Sequence, residues 1–320
     1  MRCYFAPMEG VTGWVFRQAH HRYFGGVKKY FLPFYSPTHD RNFTAREMRD
    51  LLPEHNAGLP AVPQVLTKVP EDLLWAVERF RDMGYTEVNL NLGCPSGTVV
   101  AKGKGSGMLA DPESLDRFLD QVFSVRWTQI SVKTRLGIRD PEEFYKILAV
   151  FDRYPICELT VHVRVQKDFY REKARGEWFR YAVEHTSLPL CYNGDLVSAA
   201  DCAGFGRAYP DVPVMLGRGL VSDPALARKA NGGPPADRES LRAFHDEVYH
   251  GYCADFGSAR NAVSRMKELW FYLVSLFEVD PKLEKAMKRS ASPSEYEGLA
   301  DRILAESPLR RDAAPGWLIR

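Results

Sequence analysis

The chain has 320 residues, of which 45% are hydrophobic and 26% are charged, which excludes collagen-like, low-complexity and wholly disordered proteins. Lysine and arginine total 43 against 41 acidic residues, a formal net charge of +2. The total charge therefore indicates neither a nucleic-acid-binding protein nor an acidic tail, and any polyanion must be bound by local charge.

Short apolar runs alternate with longer amphipathic stretches as far as about residue 235, which is the pattern of repeated βα units around a parallel sheet. Asp-Pro pairs at 111–112, 140–141 and 223–224 indicate helix starts, with Asp as the cap and Pro as the first helical residue. Eight such units predict an α/β protein whose residues 1–235 form a (β/α)8, or TIM, barrel. The predicted strands lie near residues 2–7, 30–34, 61–66, 87–92, 129–134, 158–162, 189–192 and 213–216.

A Gly- and Pro-rich linker at 231–235 separates this region from a stretch without strand alternation. Helical periodicity near 241–256, 259–277, 281–290 and 294–305 predicts an all-helical C-terminal domain over residues 236–320. Trp317, Leu318 and Ile319 are expected to pack onto the body of the protein. The longest largely apolar run, 270–277, is shorter than the roughly 20 residues of a membrane span.

The six cysteines are scattered, without a Cys-x-x-Cys pair, which argues against a disulfide framework and against a zinc site. Pro7 and Glu9 interrupt any signal-peptide core near the N-terminus. We therefore expect a cytoplasmic protein with no metal and no membrane partner.

Polar groups collect at the C-terminal ends of the predicted strands, where barrel enzymes build their active sites. These groups are Pro7-Met8-Glu9-Gly10, Gln64, Asn91-Leu92-Gly93-Cys94-Pro95, Lys133-Thr134-Arg135, His162-Val163-Arg164, Asn193-Gly194-Asp195 and Gly217-Arg218-Gly219. In this fold the last two loops commonly bind phosphate, and Arg218 can supply charge to an anion. Two tight turns that need glycine are the alternative reading.

Lys133 and Arg135 share one face of a strand by the period of two, which favours an anionic or electron-rich ligand, although Lys133 could also be a solvated lysine. His162 alone is more often structural than functional. Cys94 lies in a turn before a glycine-rich stretch, 96–107, that predicts a mobile basic flap. A lone cysteine is usually an inert small hydrophobe, yet a thiol at a strand end, with an ordinary pKa near 8.5, is suited to donating a proton.

Taken in order, these motifs resemble the dihydrouridine synthase family, and the Asn-x-Gly-Cys-Pro element at 91–95 is the most specific of them. Residues 266–272 are also similar to the family's RNA-binding helix, so the resemblance covers essentially the whole chain. It implies an enzyme that uses FMN, with NADPH (or NADH) as reductant, to reduce uridine in folded RNA, usually tRNA.

The resemblance also implies roles for individual residues. Cys94 would donate the proton, Asn91 and Arg135 would hold the target uracil, and Lys133 would stabilise negative charge on the reduced flavin. The residues implied to bind the flavin are Pro7, Met8, Glu9, Gln64, Lys133, His162, Asn193, Gly194, Asp195, Gly217 and Arg218.

The sequence departs from the family's pattern in two features that bear on how it would bind RNA. Val163 stands where the family commonly has glycine, and the helical region is balanced in charge, so RNA contacts are expected from local patches. For the loop 167–175 a merely solvated charged loop is an equal alternative. The expected patch residues are Lys102, Lys104, Arg164, Lys167, Arg171, Lys173 and Arg175.

Other functions are open to the same sequence. They are dihydrouridine synthesis in rRNA, a flavin barrel reductase acting on a free pyrimidine, an aldolase in which Lys133 forms a Schiff base, and a catalytically silent RNA-binding protein. We expect a monomer.

Overall fold

The structure, a computed structural model, describes residues 1–38, 40–125 and 129–318. Its eight strands follow one another around a closed barrel in chain order. Every strand expected from the sequence is present, so the predicted (β/α)8 barrel is confirmed. The strands are β1 (Cys3–Phe5), β2 (Val27–Tyr35), β3 (Ala61–Val65), β4 (Glu87–Leu92), β5 (Gln129–Arg135), β6 (Leu159–His162), β7 (Leu190–Asn193) and β8 (Val214–Leu216).

The register of the parallel strands sets the height of the predicted site residues. Asn91 pairs with Lys133 across β4 and β5, Arg135 pairs with His162 across β5 and β6, and His162 pairs with Asn193 across β6 and β7. The side chains that alternate along each strand therefore fall into layers at the C-terminal end of this part of the sheet.

The described helices alternate with the strands up to β8 and continue beyond it. They are α1 (Trp14–Tyr23), α2 (Ala45–Leu51), α3 (Pro70–Asp82), α4 (Gly97–Val100), α5 (Pro112–Phe123), α6 (Glu143–Phe151), α7 (Gly176–His185), α8 (Ala199–Ala208), α9 (Arg218–Ser222), α10 (Leu226–Lys229), α11 (Arg238–Phe256), α12 (Ala259–Leu273), α13 (Pro281–Arg289) and α14 (Pro293–Glu306). Short 3-10 helices span Pro53–Asn56, Gly105–Ala110, Gln166–Asp168 and Val274–Leu276.

The Asp-Pro signal locates one helix start correctly and two approximately. Asp111 accepts the backbone N–H of Glu113 at 3.1 Å, and α5 begins at the proline between them. The helices expected at Pro141 and Pro224 begin later, at Glu143 and Leu226, because Asp140 and Asp223 cap a preceding turn instead.

The chain folds into two compact units. The strand unit comprises residues 31–195 and 212–215, and the helical unit comprises residues 1–30, 196–211 and 216–318. The predicted helices of the C-terminal region are all present in the helical unit as α11–α14. The domain boundary at 235/236 stays a prediction, and the last two residues of the chain, Ile319 included, lie outside the described residues.

The core of α11, α12 and α14 contains a polar group inside an apolar cluster. The Tyr296 hydroxyl lies 2.6 Å from Nε2 of His245 and accepts the indole N–H of Trp270 at 3.0 Å, and all three side chains are buried. Buried polar atoms that are paired in this way fix one packing arrangement of the helices. No helix in the described ranges is long and apolar enough to cross a membrane.

Candidate active site

The turn that carries Cys94 is held from both sides. Oδ1 of Asn91 accepts the backbone N–H groups of Gly93 and Cys94 at 3.0 and 2.9 Å. The backbone N–H and the hydroxyl of Ser106 donate to the Cys94 carbonyl at 3.1 and 2.8 Å. Four hydrogen bonds therefore fix the backbone of a half-buried thiol that follows β4 closely.

The glycine-rich stretch after Cys94 is folded against this turn. It forms α4 and the 3-10 helix Gly105–Ala110, where the sequence suggested a mobile flap. Gly105 has a φ of +57°, and a Cβ there would lie 3.0 Å from Cβ of Cys94. Only glycine fits such a position without strain, so the glycines here serve close packing as well as freedom of the chain.

A chain of buried amides continues from Asn91 into the barrel. Nδ2 of Asn91 donates to Gln64 at 2.7 Å, Gln64 donates to Asn89 at 2.7 Å, and Asn89 donates to the Ser131 hydroxyl at 2.9 Å. This series of hydrogen-bonded side chains fixes the orientation of the Asn91 amide, whose oxygen accepts the backbone N–H of Cys94. Asn89 and Ser131 were missed in the sequence. The signal that could have found Asn89 is its place two residues before Asn91, on the polar face of a strand whose other face carries Val88, Leu90 and Leu92.

Lys133 is half-buried and paired with no carboxylate within residues 1–38, 40–125 and 129–318. Burial, followed by the nearby charge of Arg135, lowers its pKa from 10.5 to about 8, whereas the Cys94 and Cys191 thiols act in the opposite direction. Arg135 lies on the same strand face, as the sequence predicted. A cation that is desolvated and uncompensated in this way fits an electron-rich ligand.

Arg135 is buried and braces two loops. Its guanidinium donates to the carbonyls of Gly93 and Val165 at 2.9 Å and to that of Phe169 at 3.0 Å. It also lies 5.2 Å from the centre of the Tyr170 ring, and burial is the main cause that lowers its pKa. These contacts join the Cys94 turn to the loop after β6, and the contact of Arg135 with a uracil stays a prediction.

The predicted flavin ligands His162 and Asp195 are both held by Arg164. The Arg164 guanidinium forms a two-pronged ion pair with Asp195 and lies 3.2 Å from Nε2 of His162. Because arginine only donates, Nε2 accepts, and the proton of a neutral ring is on Nδ1. Arg164 is 1% exposed, so its interpretation as a surface RNA contact is wrong. Its charge is paired with that of Asp195 inside the strand unit.

The loop after β7 positions the remaining predicted ligands of the strand unit. Asn193 is buried and donates to the carbonyl of Met215 at 2.8 Å. A Cβ on Gly194 would overlap the hydroxyl of Tyr192, so this position requires glycine. The backbone at Gly194 therefore runs closer to its surroundings than any other residue would allow.

The other predicted ligands lie in the helical unit. The carbonyl of Gly217 accepts the N–H of Leu220 at 2.9 Å and begins α9. A Cβ on Gly217 would lie 3.4 Å from Cβ of Ala6 and 3.8 Å from the sulfur of Met8, which is ordinary van der Waals contact between the loops after β1 and β8. Pro7 and Met8 are half-buried, whereas Glu9 is exposed.

Cations lie on the surface of the strand unit. Lys104 donates to the Ser36 hydroxyl at 3.1 Å, and burial is the main cause that lowers its pKa; the charge of Asp72 acts in the opposite direction, and the charges of Lys102 and Lys68 lower the pKa further. A cluster of like charges that repel one another fits an anionic partner. In the loop after β6, Arg175 is paired with Asp168. The exposed members of the predicted patch are Lys102, Lys167, Arg171 and Lys173.

Comparison with known proteins gives a consistent result. The model of the dihydrouridine synthase (Dus) family matches residues 4–302. A tRNA-dihydrouridine(16) synthase of Ralstonia nicotianae is 29% identical over 95% of this chain and 96% of its own length. Those of Cupriavidus necator and Neisseria meningitidis are 28% and 30% identical, over 84% and 74% of this chain and 89% and 74% of their own lengths.

Among solved structures, morphinone reductase superposes with a TM-score of 0.51 at 13% identity, covering 76% of this chain and 88% of its own. At this level of identity the likeness concerns the fold alone, and it agrees with the closed barrel described above.

Proposed function

Because the chain belongs to the dihydrouridine synthase family, we propose that it reduces the C5–C6 double bond of a uridine in tRNA to give dihydrouridine. The observation that carries the proposal is the Cys94 thiol, held on a rigid turn at the barrel end and coupled to the charge of Lys133. Since several relatives are named for position 16 of tRNA, we propose that uridine as the target. The reductant in this proposal is NADPH, or NADH.

The described residues fit FMN as the cofactor. Lys133 offers a cation without a carboxylate partner, which suits the electron-rich end of a flavin ring. Gly194 and Gly217 follow β7 and β8, where this fold commonly binds phosphate, although the space of a Cβ at Gly194 is filled by the Tyr192 side chain. The residues that would hold FMN are Pro7, Met8, Glu9, Gln64, Lys133, His162, Asn193, Gly194, Asp195, Gly217 and Arg218.

FMN supplies hydride chemistry, which protein side chains cannot perform. Reduction of the double bond takes a hydride at one carbon and a proton at the other, and the Cys94 thiol donates that proton. The thiolate that remains lies within electrostatic reach of Lys133, which stabilises it until it takes a proton from solvent. Asn91 keeps the Cys94 backbone in place while the charge on sulfur changes.

The uridine must leave its stack to reach the barrel end, at a cost of a few kcal/mol. Surface cations of the strand unit, among them Lys68, Lys102 and Lys104, support this step by binding the phosphates on either side of the extruded nucleotide. This places the RNA contacts in local patches and is consistent with the formal net charge of only +2.

The test separates the flavin from the proton donor. The purified protein should be yellow and release FMN, and Cys94→Ala should keep its rate of flavin reduction by NADPH. Dihydrouridine in an unmodified tRNA transcript, measured by nucleoside mass spectrometry, should fall by about 10²–10⁴-fold, the usual contribution of a general acid. Cys157→Ala, a half-buried thiol of the same unit, is the matched control and should retain activity.

Each outcome has a distinct meaning. A colourless protein that binds no added FMN would refute FMN as the cofactor. An unchanged dihydrouridine yield in Cys94→Ala would refute Cys94 as the proton donor. Reduction of free uridine in place of tRNA would favour a pyrimidine reductase. Dihydrouridine at a position other than 16 would contradict the proposed site in tRNA alone.

A further inference from the structure

Phe169, in the loop after β6, has a backbone conformation that suits glycine better than phenylalanine. Its φ is +49° and its ψ is −97°. A bulky residue at such a φ is strained, because its Cβ approaches the neighbouring backbone. The turn requires the positive φ, but glycine would adopt it without strain. The phenylalanine side chain therefore needs a reason other than the turn.

The backbone around Phe169 is held from several sides, so the loop cannot relax out of this conformation. The buried Arg135 guanidinium donates two N–H groups to the Phe169 carbonyl, each at 3.0 Å. Asp168 is buried, accepts the backbone N–H of Val165 at 2.9 Å and is paired with Arg175. A strained residue persists where its surroundings fix it in this way, and such residues cluster at functional sites.

Two contacts place the Phe169 backbone beside the turn that carries Cys94. The guanidinium that binds the Phe169 carbonyl also donates to the carbonyl of Gly93 at 2.9 Å. Three residues before Phe169, the side-chain amide of Gln166 donates to the carbonyl of Pro95 at 3.1 Å. Phe169 therefore borders the proposed proton donor within the strand unit.

The Phe169 ring is partly exposed and lies among cations. It is 36% exposed although it is apolar, and the Arg171 guanidinium lies 5.8 Å from its centre. Between residues 167 and 173 the exposed charged side chains are Lys167, Arg171, Lys173 and Glu172, three cations against one carboxylate. An aromatic face among cations suits an unstacked nucleotide, because the base stacks on the ring and the phosphates meet the charges.

We propose that Phe169 is a stacking platform for the tRNA base next to the target uridine. This role rests on the proposed function. A uridine that leaves its stack uncovers one face of each neighbouring base, and the Phe169 ring covers one of these faces beside the Cys94 turn. Arg171 binds a phosphate of the same nucleotide. The strain in the loop is the cost of presenting the ring to solvent, and stacking on RNA offsets it.

The first experiment measures the affinity of the flavin-loaded protein for an unmodified tRNA transcript. Phe169→Gly and Phe169→Leu remove the aromatic face and should raise the dissociation constant by about fivefold to a hundredfold, the range to which base–aromatic stacking energies correspond. Phe169→Tyr keeps the ring and should stay within about threefold of the wild type. Flavin reduction by NADPH, which involves no RNA, should keep its wild-type rate in every variant.

A second experiment identifies the base. Synthetic tRNAs that lack the base at one of the two nucleotides flanking the target uridine are compared with the intact tRNA. The wild type should bind one of them more weakly, and Phe169→Leu should cause no further loss with that tRNA, because base and ring act as a pair.

The urea midpoint distinguishes lost binding from a lost fold. Phe169→Gly should raise the midpoint, because glycine adopts a φ of +49° without strain, whereas Phe169→Leu keeps the strain and should not. A variant that is more stable and yet binds tRNA more weakly has not lost binding through misfolding. Tyr145→Leu, at another exposed aromatic residue of the strand unit, is the matched control and should bind tRNA like the wild type.

The results separate this role from the proposed function. A wild type that neither binds tRNA nor forms dihydrouridine would contradict the proposed function itself. Wild-type tRNA affinity in both Phe169→Gly and Phe169→Leu would overturn the stacking role alone. Slower flavin reduction by NADPH with unchanged tRNA affinity would assign the ring to the reductant and would refute the role in RNA binding. An equal loss with intact tRNA and with both base-lacking tRNAs would assign the ring to packing of the loop and would also refute it.

Discussion

Replacement of Lys133 by methionine should stabilise the flavin-free protein while it weakens flavin binding. Methionine has a similar length and fills the same space without a charge. Burial is the main cause that lowers the pKa of Lys133 from 10.5 to about 8, so the folded protein binds this proton less tightly than the unfolded chain does.

The size of the effect follows from these two values. At 1.36 kcal/mol per pKa unit, the difference between 10.5 and about 8 corresponds to about 3 kcal/mol. Below about pH 8, Lys133 is protonated in both the folded and the unfolded state, and the folded state bears the full free-energy cost of burying its charge. Between about pH 8 and 10.5 the unfolded chain holds more protons, so wild-type stability rises with pH relative to the variant. Above that range the cost is absent.

Urea unfolding of the two flavin-free proteins measures this difference directly. Lys133→Met should exceed the wild type by up to about 3 kcal/mol at pH 7, and by under about 1 kcal/mol at pH 10. Lys146→Met, at an exposed lysine on α6, is the control and should stay within about 0.5 kcal/mol of the wild type at both pH values. A less stable Lys133→Met at pH 7, or a difference independent of pH, would refute the reasoning. Added FMN should stabilise the wild type more than the variant.

Two further predictions concern the turn that holds Cys94. Asn91→Ala removes the acceptor of two backbone N–H groups, and unfolding in urea should show a loss of about 2–4 kcal/mol; an unchanged midpoint would contradict the hydrogen-bonded turn. Gly105→Ala places a Cβ 3.0 Å from Cβ of Cys94 at a φ of +57° and should cost about 1–2 kcal/mol by the same measurement. The control is Gly97→Ala, where a Cβ meets nothing within 4 Å; equal effects at the two glycines would show that packing against Cys94 is unimportant.

The fold could be predicted from the sequence because buried parallel strands have a simple signature. β4 is buried at all six positions and is bounded by turn residues; its polar residues Glu87, Asn89 and Asn91 alternate with Val88, Leu90 and Leu92, and this period of two predicts a strand. Helix starts were less certain, since Asp140 and Asp223 can cap a turn as readily as a helix. The local preference of an Asp-Pro pair is the same whether it begins a turn or a helix, and the packing of the surrounding residues decides between the two.

The partners of the site residues could not be predicted in the same way. A strand period of two tells which face Arg135 occupies, and Arg164 lies just beyond the end of β6, but long side chains can turn toward backbone, carboxylate or solvent. The structure shows Arg135 bonded to three carbonyls and Arg164 bonded to Asp195. These choices depend on loops that come together only in the fold, because Val165 lies 30 residues beyond Arg135 and Asp195 lies 31 residues beyond Arg164 along the chain.

Cys94 and Lys133, the two central groups of the site, differ in how their surroundings hold them, and their proposed roles account for the difference. A proton donor works only from a defined position, so the Cys94 turn is fixed by Asn91 and Ser106. A cation that must meet negative charge on a ligand works only if no carboxylate has already neutralised it, so Lys133 has no acidic partner among the residues described. The cost of that arrangement appears as the lowered pKa of Lys133, and a bound anionic ligand would remove it. The stability of the flavin-free protein and its readiness to bind flavin are therefore opposed at this one residue.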